Sequence, residues 1–298
     1  MRAYEAAAPV YQRLDFSLPP VVLGLGRCYW GVGRYKEALH LFNGLWQARP
    51  QWAELGLTYA RALSSVDANS RARDILSTLY KLYPQEPGVL HQYALFLLSK
   101  QGLKESAEWL QQQQSTLSHS KLALLRAALY QQAGVNIPDA LHVVPSNERE
   151  VSQWESYQYL AKLNPSTRWF GDNTALLKYA TGLIPAEGDV VECGVFHGRS
   201  LNLLAHWTSR PCHGFDSFQG LPEAWSLQEP AGAYSTGGTK PALLADNIRL
   251  HEGWFEDTIP VWKKDHKRHI SFMNIDCDLY VSTKTILELL NDQIVAGT

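Results

Sequence analysis

The sequence predicts an α + α/β fold class: an array of paired helices over residues 1–145, then an α/β domain with a parallel sheet over residues 166–298. Three observations predict it. Small, aromatic and proline residues recur at one fixed spacing through the first half. Residues 146–165 are polar and read as a connecting helix or linker. From Gly188 onward, short apolar runs alternate with helical patterns, the signature of βα units and a parallel sheet.

Composition narrows the classes further. Apolar residues make up 45% and charged residues 19% of 298, so the chain can bury a core and is not disordered throughout. Lys and Arg (27) nearly balance Asp and Glu (29), a formal charge of -2, without the basic excess that a nucleic-acid partner requires. No apolar run approaches the roughly 18–20 residues that span a bilayer, so a membrane partner is not expected. Met1 to Pro20 has no apolar stretch behind a basic region, so no secretory leader is read there. Four scattered cysteines (Cys28, Cys193, Cys212, Cys277) form no CxxC pair, which argues against zinc or a disulfide framework and fits a reducing cytoplasm.

In the first half, Gly26, Tyr29, Gly33, Tyr35, Ala38, Phe42, Leu45 and Pro50 stand at the spacings of a tetratricopeptide (TPR) helix pair. Gly26, Ala38 and Pro50 recur 34 residues later as Ala60, Ala72 and Pro84, and again as Ala94 and Ala107 with one residue inserted. A weaker fourth copy holds Ala127, Tyr130 and Gly134, and Ala7, Tyr11, Leu14 and Pro19 read as the second helix of a preceding unit. Small residues mark close helix crossings, and proline ends the second helix of each pair. Such a stack implies a scaffold for a protein or peptide partner. The run Gln111 to Gln114 reads as an exposed helix end.

The second half yields four strands. Asp189–Val195 is the first, followed by a helix through Leu201, Leu204 and Trp207; Cys212–Asp216, Asn247–His251 and His269–Asp276 are the others, and Ser282 is placed to cap a last helix through Ile286 and Leu290. In open α/β sheets ligands bind at the carboxyl ends of strands. Those ends deliver Glu192, Gly194, Gly198 and Ser200 from the first strand and its turn, and Asp216 and Ser217 from the second. The third delivers Trp254 and Phe255, and the fourth Asp276, Asp278 and Tyr280. The glycines permit close backbone approach, and the following helix offers free N–H groups to a carboxylate. No Gly-Lys-Ser/Thr follows, so phosphate cradling is disfavoured. Asp216 stands where such folds bond a ribose diol, and this combination suits S-adenosylmethionine.

The segments Val191–Ser200, His213–Glu223, Glu252–Pro260 and Asn274–Thr283 occur in the order of four motifs of the macrocin O-methyltransferase (TylF-like) family, and the region 165–298 resembles that family. The resemblance implies a Rossmann-like class I S-adenosylmethionine-dependent methyltransferase acting on a hydroxyl of a sugar or small natural-product acceptor. It implies Glu192, Gly194, Gly198 and Ser200 around the methionine part of the cofactor, Asp216 with Ser217 at the ribose, and Trp254 or Phe255 beside the adenine. It implies Asp276 as metal ligand or base, supported by Asp278 and Tyr280. A further aspartate pair after a fifth strand is expected to complete a magnesium (Mg2+) site. The sequence stops at Thr298, so the domain is expected to be truncated after strand four and its helix. A second class therefore stays open: a non-catalytic TPR interaction protein carrying an incomplete methyltransferase module.

Overall fold

A computed structural model describes residues 2–15, 17–113, 120–134, 145, 147–163, 167–184 and 187–298. The chain forms two compact units, residues 39–176 and residues 1–38 with 177–298. These divisions fall elsewhere than at 145 and 165.

Helix α1 (Arg2–Tyr11) is followed by α2 (Pro19–Gly31) and α3 (Tyr35–Ala48), then α4 (Ala53–Ser65), α5 (Asn69–Leu82), α6 (Pro87–Lys100) and α7 (Leu103–Gln111). The starts of α2, α4 and α6 are 34 residues apart, and so are those of α3, α5 and α7. Gly26, Ala60 and Ala94 are buried in the first series, and Ala38, Ala72 and Ala107 in the second. Pro50 and Pro84 follow the ends of α3 and α5, where a missing N–H stops the helix. At the front of the chain the pattern differs. Pro9 lies inside α1, and Pro19 opens α2 rather than closing a helix, because the first helical turn has no use for its N–H.

Unit 39–176 continues with α8 (Ser120–Ala133) and α9 (Glu148–Ala161). Of the two readings of residues 146–165, connecting helix or linker, α9 is the helix. Asn147 caps α9 by accepting from the Glu150 N–H (3.1 Å), and Glu148 and Glu150 favour its first turn. Trp154, Tyr157 and Leu160 pack on a core of Leu90, Leu98, Leu110, Leu122, Leu125 and Trp169. The turn before α10 (Asn173–Thr181) is fixed through Ser99, whose hydroxyl donates to Asp172 and accepts from the Gly171 N–H, both at 2.8 Å. Gln114, Ser146 and Pro165, named in the sequence readings, lie outside the described residues.

The other unit carries a parallel sheet of β1 (Asp189–Cys193), β2 (Cys212–Asp216), β3 (Ile248–Glu252) and β4 (Ile270–Ile275) in the order β3-β2-β1-β4. Helices α11 (Arg199–Trp207), α12 (Phe255–Asp265) and α13 (Tyr280–Leu290) complete it. Every residue of β1 is buried, including the carboxylates Asp189 and Glu192. Val191, Cys193 and Phe215 pack with Ile259, Trp262 and Ile286 on one face; Val190, Cys212 and Ile248 pack with Leu201 and Leu204 on the other. Gly214 allows that second layer its closeness, since a Cβ there would stand 2.5 Å from Leu201 Cδ2. All four cysteines are buried free thiols.

Strand ends shift by one or two residues from those read in the sequence: β1 stops at Cys193 rather than Val195, and β4 spans Ile270–Ile275 rather than His269–Asp276. Asn247 lies before β3, and its amide donates to the Ala205, Thr208 and Arg210 carbonyls, pinning the turn between α11 and β2. Ser282 lies inside α13, whose cap position is Leu279, because the chain already turns at Asp278 with φ of 63°. Beyond α13, Ile294 makes a parallel bridge to Ile270. Among the described residues no helix is long and apolar enough to cross a membrane. Strand order reverses between β1 and β4, which makes their carboxyl ends the switch point where such sheets bind ligands.

Candidate active site

A cleft of about 690 Å³ opens at that switch point. Gly194, Ser200, Asp216, Ser217, Trp254, Phe255, Asp276 and Asp278 all line it, so most residues singled out in the sequence converge. Glu192, Gly198 and Tyr280 are not on its wall. Tyr280 is 81% exposed at the start of α13.

The turn after β1 is shaped by its glycines. Gly194 has φ of 92°, and a Cβ there would collide with the Asp276 backbone carbonyl, so only glycine lets the β1 turn meet the β4 turn. Gly198, at φ of 70°, opens α11, and a Cβ there would stand 2.7 Å from Pro241. The sequence reading assigned the glycines to ligand approach; the structure shows that they also admit neighbouring chain. Asp216 holds the same turn: Oδ2 accepts from the Val195 and Phe196 N–H groups (2.8 Å each), and Oδ1 accepts from the Phe218 N–H at 2.7 Å. Phe196, Phe218, Tyr234 and Asp278, all non-glycine residues with φ between 53° and 63°, lie in or beside the cleft. Backbone strain concentrated in this way marks functional sites.

Five carboxylates line the cleft (Asp216, Glu223, Glu256, Asp276, Asp278) against one guanidinium, Arg199. Such a field repels phosphate and attracts a cation. Burial, the neighbouring Asp276 charge and Glu229 together hold the Asp278 carboxyl above its ordinary range. Behind the turn, Glu192 is fully buried; its Oε1 accepts from Asn274 Nδ2 (2.7 Å) and its Oε2 has no hydrogen-bond partner. Burial pushes this carboxyl up to about 7, opposed by Ser200 and Asn274 and reinforced by the Asp276 charge.

Sequence reasoning missed Arg199, Phe196, Glu223, Trp30 and Tyr35 on the cleft wall. Tyr234 also lines the cleft, within the Gly-, Ser- and Thr-rich segment Pro230–Pro241. That segment folds back on the turn after β2, with the Leu221 N–H donating to the Ala233 carbonyl and the Gly232 N–H to the Leu221 carbonyl, both at 2.8 Å. Magnesium finds little here. Among the described residues no three His, Cys, Asp or Glu side chains are placed to hold a metal ion, and Asp276 lacks a protein donor set around it.

At the opposite, amino end of the sheet lies a second polar cluster. His213 is buried (2% exposed), and its Nδ1 accepts from the Trp262 indole N–H at 3.1 Å. His251 Nε2 stands 3.1 Å from the same nitrogen, so the His213 proton resides on Nε2, 3.8 Å from buried Asp189. Burial, followed by the charge of neighbouring histidines, lowers His213 to about 3 and His251 to about 4.

A parallel sheet with a glycine turn at its switch point, an acid ending β2 and acids after β4 fits a Rossmann-like methyltransferase. Comparison with known proteins narrows this: residues 184–298 match the macrocin-O-methyltransferase (TylF) family. The 8-demethyl-8-(2,3-dimethoxy-alpha-L-rhamnosyl)-tetracenomycin-C 4'-O-methyltransferase of Streptomyces olivaceus is 30% identical over 147 residues, 41% of this chain. The match spans 55% of that enzyme, so the chain covers about half the length of this relative.

Proposed function

We propose that the chain is an S-adenosylmethionine-dependent O-methyltransferase for a hydroxyl on a sugar-bearing or other small natural-product acceptor. The observation that carries this is an acid-rich cleft at the switch point, built on a strained glycine turn. Its charge suits a sulfonium and disfavours a nucleotide phosphate. The family match and the sugar-modifying relative support the reaction class.

In this reading the Gly194–Gly198 turn, Ser200 and the start of α11 take the amino-acid end of the cofactor, with Glu192 behind them. Asp216 and Ser217 take the ribose, and Trp254 and Phe255 flank the adenine. S-adenosylmethionine, when bound, supplies an electrophilic methyl group. Asp276 and Asp278 orient the acceptor hydroxyl, and Asp278, its proton affinity raised by burial and by Asp276, takes the proton as the new bond forms. Tyr280 is exposed outside the cleft wall and is given no role in this reading.

Calorimetry with S-adenosylhomocysteine tests the reading directly: saturable one-to-one binding is expected, and none would sink it. Asp278→Asn should lower kcat by roughly 10²–10⁴ and leave that binding unchanged.

For the helix pairs of residues 39–111 we propose a TPR-like scaffold for a protein or peptide partner, supported by the 34-residue recurrence of their starts and their small buried positions. The buried free thiols support a reducing, cytoplasmic setting.

A further inference from the structure

We propose that Trp30 and Tyr35, at the corner between α2 and α3, form the specificity wall for the acceptor ring. The proposal rests on the methyltransferase reading. Both residues line the cleft, and both lie outside the 184–298 region that carries the family match. They reach the cleft from the helices that precede the matched region.

The corner is seated firmly. Gly33 has φ of 78°, and a Cβ on it would stand 2.6 Å from His197 Cβ, so the corner rests directly on the turn after β1. His197 is also hydrogen-bonded to the Gly31 backbone. Trp30 and Tyr35 brace each other edge to face, ring centroids 4.8 Å apart at 61°. The result is a fixed aromatic surface whose shape does not depend on a ligand.

Its chemistry points to a saturated ring. Asp216, Ser217, Trp254 and Phe255 provide for the cofactor, and a cleft of about 690 Å³ leaves room beside a nucleoside-sized molecule. The acids Glu223, Asp276 and Asp278 also line it. Aromatic faces that cover C–H groups, with carboxylates accepting from hydroxyls, recognise a pyranose by both of its surfaces.

The test uses the full chain, S-adenosylhomocysteine by calorimetry, and methyl α-L-rhamnopyranoside by saturation-transfer NMR with S-adenosylhomocysteine present. The wild type should bind both. Trp30→Ala and Tyr35→Ala should each weaken rhamnoside binding at least tenfold while the S-adenosylhomocysteine Kd stays within twofold, and Trp30→Phe should restore most of the loss. Gly33→Val, which lifts the corner without removing either ring, should reproduce the loss. Unchanged S-adenosylhomocysteine binding in each variant also certifies that the site has folded. Rhamnoside binding that survives both alanine variants overturns the proposal, as does a wild type that takes S-adenosylhomocysteine but no rhamnoside. Variants that lose S-adenosylhomocysteine binding in parallel would assign the wall to the cofactor and overturn it equally. A wild type that fails to bind S-adenosylhomocysteine refutes the underlying reading instead.

Discussion

The two ends of one four-stranded sheet both bury unpartnered polar atoms, but they differ in the backbone that carries them. At the amino end, His213 receives the Trp262 N–H and faces His251, while its Nε2 and the Asp189 Oδ1 are buried without a hydrogen-bond partner. At the carboxyl end, Glu192 keeps one oxygen unpartnered, Asp276 and Asp278 face an open cleft, and the backbone is held at positive φ. Both ends shift proton affinities and both border a hollow, yet only the carboxyl end adds strained non-glycine backbone. A displaced pKa alone therefore does not mark a site in this molecule; a displaced pKa in a strained, open turn does.

The contrast can be broken most severely at Gly194. Gly194→Val would drive a side chain into the Asp276 carbonyl from a backbone angle that valine does not tolerate. S-adenosylhomocysteine binding should fall below detection in calorimetry, whereas Gly44→Ala, on a helical backbone with nothing within 4 Å, should leave it intact. Asp216→Ala comes next. It strands the Val195, Phe196 and Phe218 N–H groups, at a cost of roughly 1–3 kcal/mol for each that water does not reach. Urea denaturation would show the loss, and an unchanged midpoint would contradict the role given to this carboxylate.

The pH responses sharpen the comparison, because the two ends carry opposite signs. Glu192 is raised from 4.5 to about 7, so its contribution to stability is present in full below pH 4.5 and is lost as pH rises through 7. Glu192→Gln should flatten that decline by roughly 1–3 kcal/mol between pH 5 and 8 in urea melts. His213 and His251 are lowered from 6.5 to about 3 and about 4, so their contribution is present above pH 6.5 and is lost as pH falls through 4 and then 3. His251→Phe, which keeps the stack on Phe215 (4.4 Å), removes one of the two groups. Its effect is the smallest of the series, since His251 is only partly buried: a shallower loss of stability between about pH 6.5 and 4, with little change at pH 7.

The sequence made this carboxyl end legible because strand ends, glycines and acids follow one another at short range. Gly194, Asp216, Trp254 and Asp276 could be placed from local pattern alone, and they meet in one cleft. Trp30 and Tyr35 could not, since nothing local ties residues 30–35 to a turn more than 150 residues later. The histidine cluster was hidden for a related reason: His213 sits inside an apolar strand, and its partners His251 and Trp262 come from other elements. Tyr280 misled because it adjoins Asp278 in sequence, whereas the start of α13 turns it outward. Residues 146–165 left helix and linker open because the apolar residues of α9 are few, though Trp154, Tyr157 and Leu160 suffice to dock it.

The contact between Gly194 and the Asp276 carbonyl has a mechanical consequence. It joins the turn that would hold a methyl donor to the turn that would hold the acceptor hydroxyl, backbone against backbone, with no side chain between them to yield. For a displacement run between those turns, the contact acts as a gauge block. It sets the span from sulfur to oxygen through peptide planes rather than rotamers, in a reaction where a misplacement of about 1 Å can cost on the order of 10²-fold in rate.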